Sequence, residues 1–411
     1  MLRDTICQLA GETDINRALD ALFKNYNLRT TGKADPYKKG QKIAIKANMN
    51  CTGNGSTDAN NTNGYFPAPV TLRSLLTILV EYGVNPSDIT LADPSRVIPT
   101  YVQEMCSAGK LKGVKFCCYD TSGKWDAVAD LTKPIKFSHD FFADNWPDYN
   151  GYPTTNTSYW PKAYTEATYM INIFNLRGHS LAGFTASGKN HFGSVMPGYT
   201  KEDGTVIFPN DFRCNPPSWS SLHHYVAAMT VKWDPWQLWD LPQVKMGEYN
   251  VLVDLLSNRD AGGKTFLYLC DALGATVTQG DHLKTSQKWI SAPFGNGKAN
   301  GAGWTNSIFA SQDPIAIDSV VYDFILEEKA AREKIRDYKW SDVLPKGNSA
   351  ENYLIEAALA DHAPSGTVYQ DGYGNPIGSL GVHDHWNNGK EKKYSRDLGA
   401  AEGIELIQIT Y

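Results

Sequence analysis

Short apolar runs and amphipathic runs alternate along the first half of the chain. The apolar runs are rich in β-branched residues and are bounded by turn residues, a pattern that predicts strands. These predicted strands occupy positions 41–50, 85–96, 113–120 and 167–176. Apolar residues recur at helical spacing over 70–84 and 100–111, which predicts a helix after each of the first two strands. The order indicates βαβ units and therefore parallel strands.

A second series of elements follows further along the chain. Helices are predicted near 220–231, 247–258, 313–335 and 349–362, and strands at 264–273, 306–312 and 404–410. The segment 121–166 is rich in Trp, Tyr, Asp, Asn and Pro, so we expect an irregular insertion there. The whole pattern predicts an α/β fold with layered, largely parallel Rossmann-like sheets and helices on both faces. Two regions are expected, an N-terminal α/β domain over 1–235 and a C-terminal α/β region over 236–411.

Composition narrows the function classes. The chain has 411 residues with 39 basic and 44 acidic side chains, a formal net charge of -5, which argues against a nucleic-acid partner. Apolar runs stay shorter than the roughly 18 residues that a membrane-spanning helix needs, so no membrane partner is expected. We expect a small anionic ligand as the partner. The sequence pattern leaves the oligomeric state open. The chain carries no recognisable secretory signal, so both a cytoplasmic and a processed extracytoplasmic location remain open.

Seven cysteines are present, and none of them forms a CxxC pair. This spacing argues against an iron–sulfur cluster and against a framework of disulfides. We therefore expect no iron–sulfur cofactor.

Polar loops follow several of the predicted strands. In open α/β sheets, ligands bind where loops leave the carboxyl ends of strands, so these loops are candidates for one shared site. The loops cover 46–50, 92–96, 175–184 and 310–318. Their candidate substrate-binding residues are Asn48, Asn50, Asp93, Arg96 and Asp313. The alternative is ordinary turn chemistry, and Asp313 before Pro314 is typical of a helix start.

The stretch "RGHSLAGFTASGKNHFGSVMP", residues 177–197, concentrates ligand-capable side chains on a glycine-rich loop. A histidine can move protons near neutral pH, and a nearby lysine either holds an anion or acts as a nucleophile when it is desolvated. His179, Lys189 and His191 are therefore the candidate catalytic residues, with the glycines expected to let the backbone approach a ligand. The alternative is that both histidines bind local carbonyls and that Lys189 is solvated.

A second histidine cluster lies near the C-terminus, in "GVHDHWNN". His383 and His385 alternate around Asp384, so on an extended segment both imidazoles project to one face and could bind a metal. His191 or Asp93 could complete such a site. The alternative is that the two histidines have a structural role.

The motifs "KANMN", "ITLADPSR", "NLRGHSLAGFTASGKNHFGS", "FASQDPIAIDSV" and "GSLGVHDHWNN" together resemble the bacterial family known as domain of unknown function 362. The resemblance runs from about residue 40 to the C-terminus and implies homology without an established reaction. Relatives in this family often carry ferredoxin-type cysteine clusters, which this chain lacks.

The segment "HSLAGFTASGK" is also similar, more distantly, to a loop of the nickel-dependent lactate racemases. This resemblance implies that His179 is an acid/base and that Lys189 is the cofactor-binding residue, as the anchor of a nickel-pincer-like nucleotide. Ser95 stands where that family has a second catalytic histidine, and Asn48 and Asn50 replace its Asp-and-Arg loop. Two-base racemisation of lactate is therefore not expected.

Two functions are consistent with these observations. The first is an enzyme of racemase or epimerase type that acts by proton transfer on a small, hydroxy-acid-like anion. The alternative is a non-catalytic accessory protein that binds a metal or an anion. The cofactor would be a metal ion or a lysine-anchored nucleotide.

Overall fold

The computed structural model of the protein describes residues 1–49, 66–119, 127–139, 156–179, 182–200, 205–207, 246–276, 288–334 and 349–410. Within these ranges the chain forms nine α-helices and eleven strands. The helices are α1 (Leu2–Ala10), α2 (Ile15–Thr31), α3 (Pro69–Tyr82), α4 (Thr100–Ser107), α5 (Lys162–Thr165), α6 (Ser187–Asn190), α7 (Val251–Ser257), α8 (Pro314–Glu333) and α9 (Ser349–Ala358). The strands are β1 (Ile43–Ala47), β2 (Ile89–Val97), β3 (Lys115–Tyr119), β4 (Ala129–Pro134), β5 (Asn156–Pro161), β6 (Tyr169–His179), β7 (Gly183–Thr185), β8 (Met196–Thr200), β9 (Val206–Ile207), β10 (Thr265–Thr276) and β11 (Ser307–Ser311).

The main sheet has seven strands and is largely parallel, as the sequence predicts. Its order is β11-β10-β6-β1-β2-β3, and β7 folds back on the end of β6. The strands β10, β6, β1, β2 and β3 run parallel to one another. Strand β11 pairs antiparallel with β10, so its end lies at the opposite edge of the sheet from the ends of the parallel strands.

Helices cover both faces of this sheet because its central strands are apolar on both sides. In β1, Ile43 and Ile45 pack into one core with α1 to α4, whereas Ala44 faces a second core that contains α7, α8 and α9. Strands that are buried on both faces are typical of parallel sheets, which explains why their sequences read as continuous apolar runs. Lys46 follows the same alternation and lies on the face of Ala44.

The segment 121–166 is more regular than the sequence suggests. Its described part contains β4, β5 and α5, and the two strands join β8 and β9 in a separate antiparallel sheet of order β4-β5-β8-β9. The expectation of an irregular insertion is wrong for these residues. Its Pro and Asn content obscured the short edge strands, which local composition identifies poorly.

The predicted closing strand at 404–410 is also wrong. These residues pair with no other strand among the described residues, and Ile407 and Ile409 are exposed. Only Ile404 of this run is buried, so alternation in the sequence did not correspond to a buried face. The predicted helix near 220–231 lies outside the described residues. None of the helices that the structure describes is long and apolar enough to cross a membrane.

Candidate functional site

The carboxyl ends of β1, β2 and β6 lie side by side in the main sheet. Lys46 of β1 is level with Ala92 of β2 and with Asn172 of β6. Because these strands are parallel, the loops that follow them meet at the same end of the sheet, which we call its carboxyl edge. The described parts of 46–50 and 92–96 therefore come together there with the end of α6, while Asn50 lies outside the described residues. Asn48 is buried at this edge, and its backbone N–H donates to the carbonyl of Ile173 at 3.1 Å.

A buried ion pair joins two of these strands. The Lys46 ammonium lies 3.1 Å from the Asp93 carboxylate, and both side chains are almost completely excluded from solvent. Asp93 also accepts hydrogen bonds from the backbone N–H of Met49 at 2.8 Å and from the Ser95 hydroxyl at 3.0 Å. Burial lowers the pKa of Lys46, and the negative charge of Asp93 opposes that shift. The carboxylate thus balances the charge of Lys46 and holds the loop after β1 through its bond to Met49.

Asn190, at the end of α6, attaches this short helix to the sheet. Its side-chain oxygen accepts a hydrogen bond from Lys46 at 2.9 Å, and its amide nitrogen donates to the side chain of Asn172 at 2.7 Å. The same nitrogen donates to the carbonyl of Ile173 at 3.1 Å. These three bonds satisfy a fully buried amide, so they fix α6 against β1 and β6.

Lys189, the preceding residue of α6, is buried and not solvated. Its ammonium lies 3.6 Å from the centre of the Phe192 ring, and no carboxylate among the described residues forms an ion pair with it. Burial lowers the pKa of Lys189 well below its ordinary value, and the charges of Arg96, Arg177 and Lys46 lower it further. The neutral amine, which is the state in which a lysine acts as a base or nucleophile, is therefore more accessible than in an ordinary lysine.

His179 ends β6 and is buried. Its Nδ1 accepts a hydrogen bond at 3.1 Å from the backbone N–H of Ala182, the residue that precedes β7. A neutral imidazole that accepts at Nδ1 carries its proton on Nε2, so Nε2–H is the group that it can donate to a ligand.

His191 is completely buried. Its Nδ1 lies 3.1 Å from the Ser194 hydroxyl, while its Nε2 has no hydrogen-bond partner among the residues that the structure describes. Burial, with a contribution from the charge of Lys46, lowers the pKa of His191 to about 3. The ring is therefore neutral across the physiological range.

Two glycines of this stretch are required by contacts within the protein. A Cβ on Gly188 would lie 2.6 Å from the Tyr353 hydroxyl, and one on Gly193 would lie 2.6 Å from an oxygen of Asp93. These contacts explain both glycines without a ligand, so the prediction that glycines bring the backbone close to a ligand stays a prediction. The expected loop is also more regular than its composition indicates, because it contains β7, α6 and a 3₁₀ turn over His191–Ser194.

Asp318 of α8 supports α6 from the other side. Its carboxylate accepts hydrogen bonds from the Ser187 hydroxyl at 2.7 Å, from the Ser187 backbone N–H at 3.0 Å and from the Tyr353 hydroxyl at 2.9 Å. Burial raises the pKa of Asp318 to about 7, although these hydrogen bonds act in the opposite direction. The start of α6 is thus held by one buried carboxyl group.

Asp313 does not lie at this edge. It caps α8, where its side chain accepts hydrogen bonds from the backbone N–H groups of Ile315 and Ala316 at 2.8 and 2.9 Å. The neighbouring Gln312 donates to the carbonyl of Phe266, near the start of β10. Because β11 is antiparallel, this loop emerges at the amino edge of the parallel strands, so the expected convergence is wrong for Asp313.

His383 and His385 converge on a third residue, Glu351 of α9. Their Nε2 atoms lie 2.9 and 3.2 Å from the same carboxylate oxygen of Glu351. His385 also contacts Asp323 of α8 through Nδ1 at 2.6 Å. Hydrogen bonds to Asp323 and Glu351 raise the pKa of His385 to about 10. Burial alone would raise the pKa of Glu351, but its contacts with the two histidines outweigh burial and lower that pKa to about 2. His191 and Asp93 belong to the other site.

Sequence reasoning missed four of these groups. Lys46 and Arg177 each lie inside an apolar run, where an isolated charge is itself a signal of a buried functional group. Asp318 and Glu351 gave no such signal because charged residues are common on amphipathic helices.

These features define an α/β protein with a cationic candidate site at the carboxyl edge of its main sheet. The chain belongs to the family described as domain of unknown function (DUF362), which matches residues 43–323 and confirms the resemblance. No curated protein matches the chain.

Among solved structures, the chain is similar to the lactate racemase apoprotein from Thermoanaerobacterium thermosaccharolyticum. The two share 13% sequence identity and a TM-score of 0.30, over 75% of this chain and 52% of that chain. The chain thus spans about half the length of that racemase. A match this distant assigns no role to any residue.

Proposed function

We propose that the carboxyl edge binds a small carboxylate of the hydroxy-acid type and transfers a proton on it. The observation that carries this proposal is the buried Lys189, which faces Arg96, Arg177 and Lys46 without an ion-pair partner among the described residues. A buried cation without a counter-charge is costly, so such a position is retained where a ligand supplies the negative charge.

The charges around Lys189 favour an anionic ligand. Among the described residues, Asp93 forms an ion pair with one of these cations, Lys46. Arg96 and Arg177 present planar guanidinium groups, which bind carboxylates through paired hydrogen bonds. A substrate carboxylate beside Lys189 would balance the charge of its ammonium.

Lys189 and His179 have complementary chemistry for proton transfer. The lowered pKa of Lys189 makes its neutral amine available as a base. The contact from Ala182 to Nδ1 keeps the proton of neutral His179 on Nε2, from which it can donate to a substrate oxygen. We therefore assign the base to Lys189 and the hydrogen-bond donor to His179. This differs from the acid/base role that the racemase-like loop implies for the histidine.

The resemblance also implies a lysine-anchored nucleotide, and the residues present fit such a group at one point. A buried lysine with a lowered pKa is a suitable attachment point, because its amine loses its proton, and becomes nucleophilic, more readily than that of an ordinary lysine. In that case Lys189 would hold the group in place of acting as the base, and the group would supply the chemistry at the substrate carbon. Intact-mass measurement of the purified protein, followed by peptide mapping, would detect a covalent adduct on Lys189.

Isotope exchange tests the proposed function directly. The protein is incubated with a panel of 2-hydroxy acids in D2O, and deuterium at the α-carbon is followed by NMR. We expect exchange with the wild type and loss of exchange with Lys189→Met. Lys264→Met is the matched control, because Lys264 is also a largely buried lysine with a pKa lowered by burial, to about 8, but it lies at the start of β10 on the opposite edge.

The second candidate function is binding of an anion without catalysis, which the same cationic group favours. Protection of Lys189 from reductive methylation by an added carboxylate measures binding alone. Protection without exchange would support the binding protein, and neither protection nor exchange would contradict both functions.

A further inference from the structure

We infer that Glu351, His383 and His385 form a binding site for a divalent transition-metal ion, with Zn²⁺ as the best match. One ligand atom from each residue lies within 4.8 Å of the other two. The site lies outside the segment matched by the family and is independent of the function proposed for the sheet edge.

The hydrogen bonds behind His383 orient it for metal binding. The Ser319 hydroxyl donates its proton to the carbonyl of Ile315 at 2.7 Å, and its oxygen lies 2.9 Å from Nδ1 of His383. Since the only hydroxyl proton of Ser319 is used, its oxygen accepts from Nδ1–H of His383. The lone pair of a neutral His383 is then on Nε2, which faces Glu351.

His385 is oriented in the same way by Asp323. Its Nδ1 lies 2.6 Å from a carboxylate oxygen that can only accept, so Nδ1 carries a proton and Nε2 again faces Glu351. Metal-binding histidines in proteins almost always donate their other N–H to a carboxylate or a similar acceptor. Asp323 is itself held by the Tyr394 hydroxyl at 2.9 Å and by the backbone N–H of Trp386 at 3.1 Å.

The three atoms that face each other fit a bound cation. Two imidazole Nε2 atoms and one carboxylate oxygen are all acceptors when the histidines are neutral, so they need either protons or a metal ion between them. A tetrahedral zinc ion with ligands at about 2.0–2.2 Å separates them by roughly 3.3 Å. The observed separations from Glu351 are 2.9 Å to His383 and 3.2 Å to His385.

The composition and exposure of the cluster indicate the kind of metal and its accessibility. Two imidazoles and one carboxylate are typical of zinc and related transition metals, whereas Mg²⁺ and Ca²⁺ prefer ligands that are all oxygen. The side chain of His385 is 42% exposed and that of Glu351 26%, so solvent reaches the site. Three protein ligands leave a fourth position open for water or a small ligand.

Metal titration of the full chain tests this inference. The protein is first dialysed against a chelator, and Zn²⁺ binding is then measured by calorimetry, with the visible spectrum of bound Co²⁺ as a report of tetrahedral geometry. We expect one ion per chain. Glu351→Gln and His385→Asn should weaken binding by more than about 100-fold, and Ser319→Ala, which removes only a partner behind His383, by about 10–100-fold.

Two controls separate metal binding from general effects of substitution. His362→Asn changes an exposed histidine that pairs with Asp361, so it should bind zinc like the wild type. Lys189→Met should also retain the metal, because Lys189 belongs to the other site. A circular dichroism melt of each variant checks its folding. If Glu351→Gln does not fold, the zinc affinity of Ser319→Ala tests the site instead.

Two results would overturn the inference. One is a wild-type chain that takes up no stoichiometric Zn²⁺ or Co²⁺. The other is a folded Glu351→Gln variant that binds the ion as tightly as the wild type, which would place any bound metal elsewhere.

Discussion

Lys46 and Asp93 form an ion pair across the ends of β1 and β2, with 3.1 Å between the ammonium nitrogen and the carboxylate oxygen and with both side chains buried. The pair has a consequence for the neighbouring cation. Because Asp93 balances the charge of Lys46, it is not a dedicated partner for Lys189, whose pKa is lowered further by Lys46 itself. Among the described residues, Asp93 thus balances the charge of Lys46 and leaves that of Lys189 unbalanced.

Removing this carboxylate should strongly destabilise the fold. Asp93→Asn leaves the Lys46 ammonium buried without its counter-charge, and breaking a buried pair in this way costs about 3–5 kcal/mol. Urea denaturation would measure the loss in the free energy of unfolding. Glu166→Gln is the control, because Glu166 forms an exposed ion pair with Lys42, and such pairs contribute about 0–1 kcal/mol.

A double variant distinguishes the charge from the local hydrogen bonds. Lys46→Met combined with Asp93→Asn removes both charges and should recover part of the stability that Asp93→Asn loses. If the double variant lost as much free energy of unfolding as the two single variants together, Asp93 would stabilise the fold mainly through its hydrogen bonds to Met49 and Ser95.

Acid conditions should reveal the buried His191. Its pKa is about 3 in the folded chain and about 6.5 in an unfolded one, so the unfolded state binds the extra proton between these values. Stability is therefore lost as the pH falls below about 6.5, and this histidine should contribute a loss of about 2 kcal/mol between about pH 7 and pH 5. His191→Gln should abolish that contribution in urea denaturation. His362→Asn, at an exposed histidine, should leave the pH dependence unchanged.

The sequence predicted the part of the fold that local patterns determine. β1, β2 and β6 were recognisable because strands buried on both faces are continuous apolar runs, and their parallel order correctly placed the loops after β1 and β2 at one edge, where Lys46 and Asp93 meet. The direction of β11 is set by its pairing with β10 and leaves no local mark in the sequence. The misplacement of Asp313 follows from that missing information.

The candidate sites were predictable only in part for a similar reason. His383 and His385 were found from their alternation, but Glu351 is 32 positions away from His383 along the chain and resembles an ordinary charged residue of an amphipathic helix. Lys189 was recognised from its spacing to His179. Its burial could not be predicted, because it depends on how α6 packs between the sheet and α8.

Gly193 should tolerate no side chain. A Cβ there would lie 2.6 Å from Asp93 and 2.9 Å from the Ser95 hydroxyl, so Gly193→Ala must displace the buried ion pair. Overpacking of this kind costs about 1–3 kcal/mol, which thermal or urea unfolding would measure. Gly378→Ala is the matched control, because a Cβ at Gly378 meets no atom within 4 Å. Equal stability of the two variants would mean that the loop moves freely away from Asp93.

The buried Lys189 should lower the free energy of unfolding of the ligand-free chain, although it helps to bind the ligand. Its folded pKa is depressed, so below its ordinary pKa of about 10.4 the unfolded chain binds this proton more tightly than the folded chain, and each unit of depression costs about 1.4 kcal/mol. Lys189→Met should therefore raise the free energy of unfolding near pH 7. The gain should shrink as the pH rises towards about 10, because the unfolded lysine then also loses its proton.

The wild type and Lys189→Met also test whether a bound ligand stabilises the fold through Lys189. A bound carboxylate stabilises the wild type in proportion to its affinity, whereas Lys189→Met should gain no such stabilisation. Lys264→Met provides the contrast, because the Lys264 ammonium donates to the carbonyls of Tyr164 and Thr165 and its loss should destabilise the fold. If Lys189→Met were instead less stable than the wild type and still stabilised by carboxylates, Lys189 would be a structural residue and the anion site would not include it.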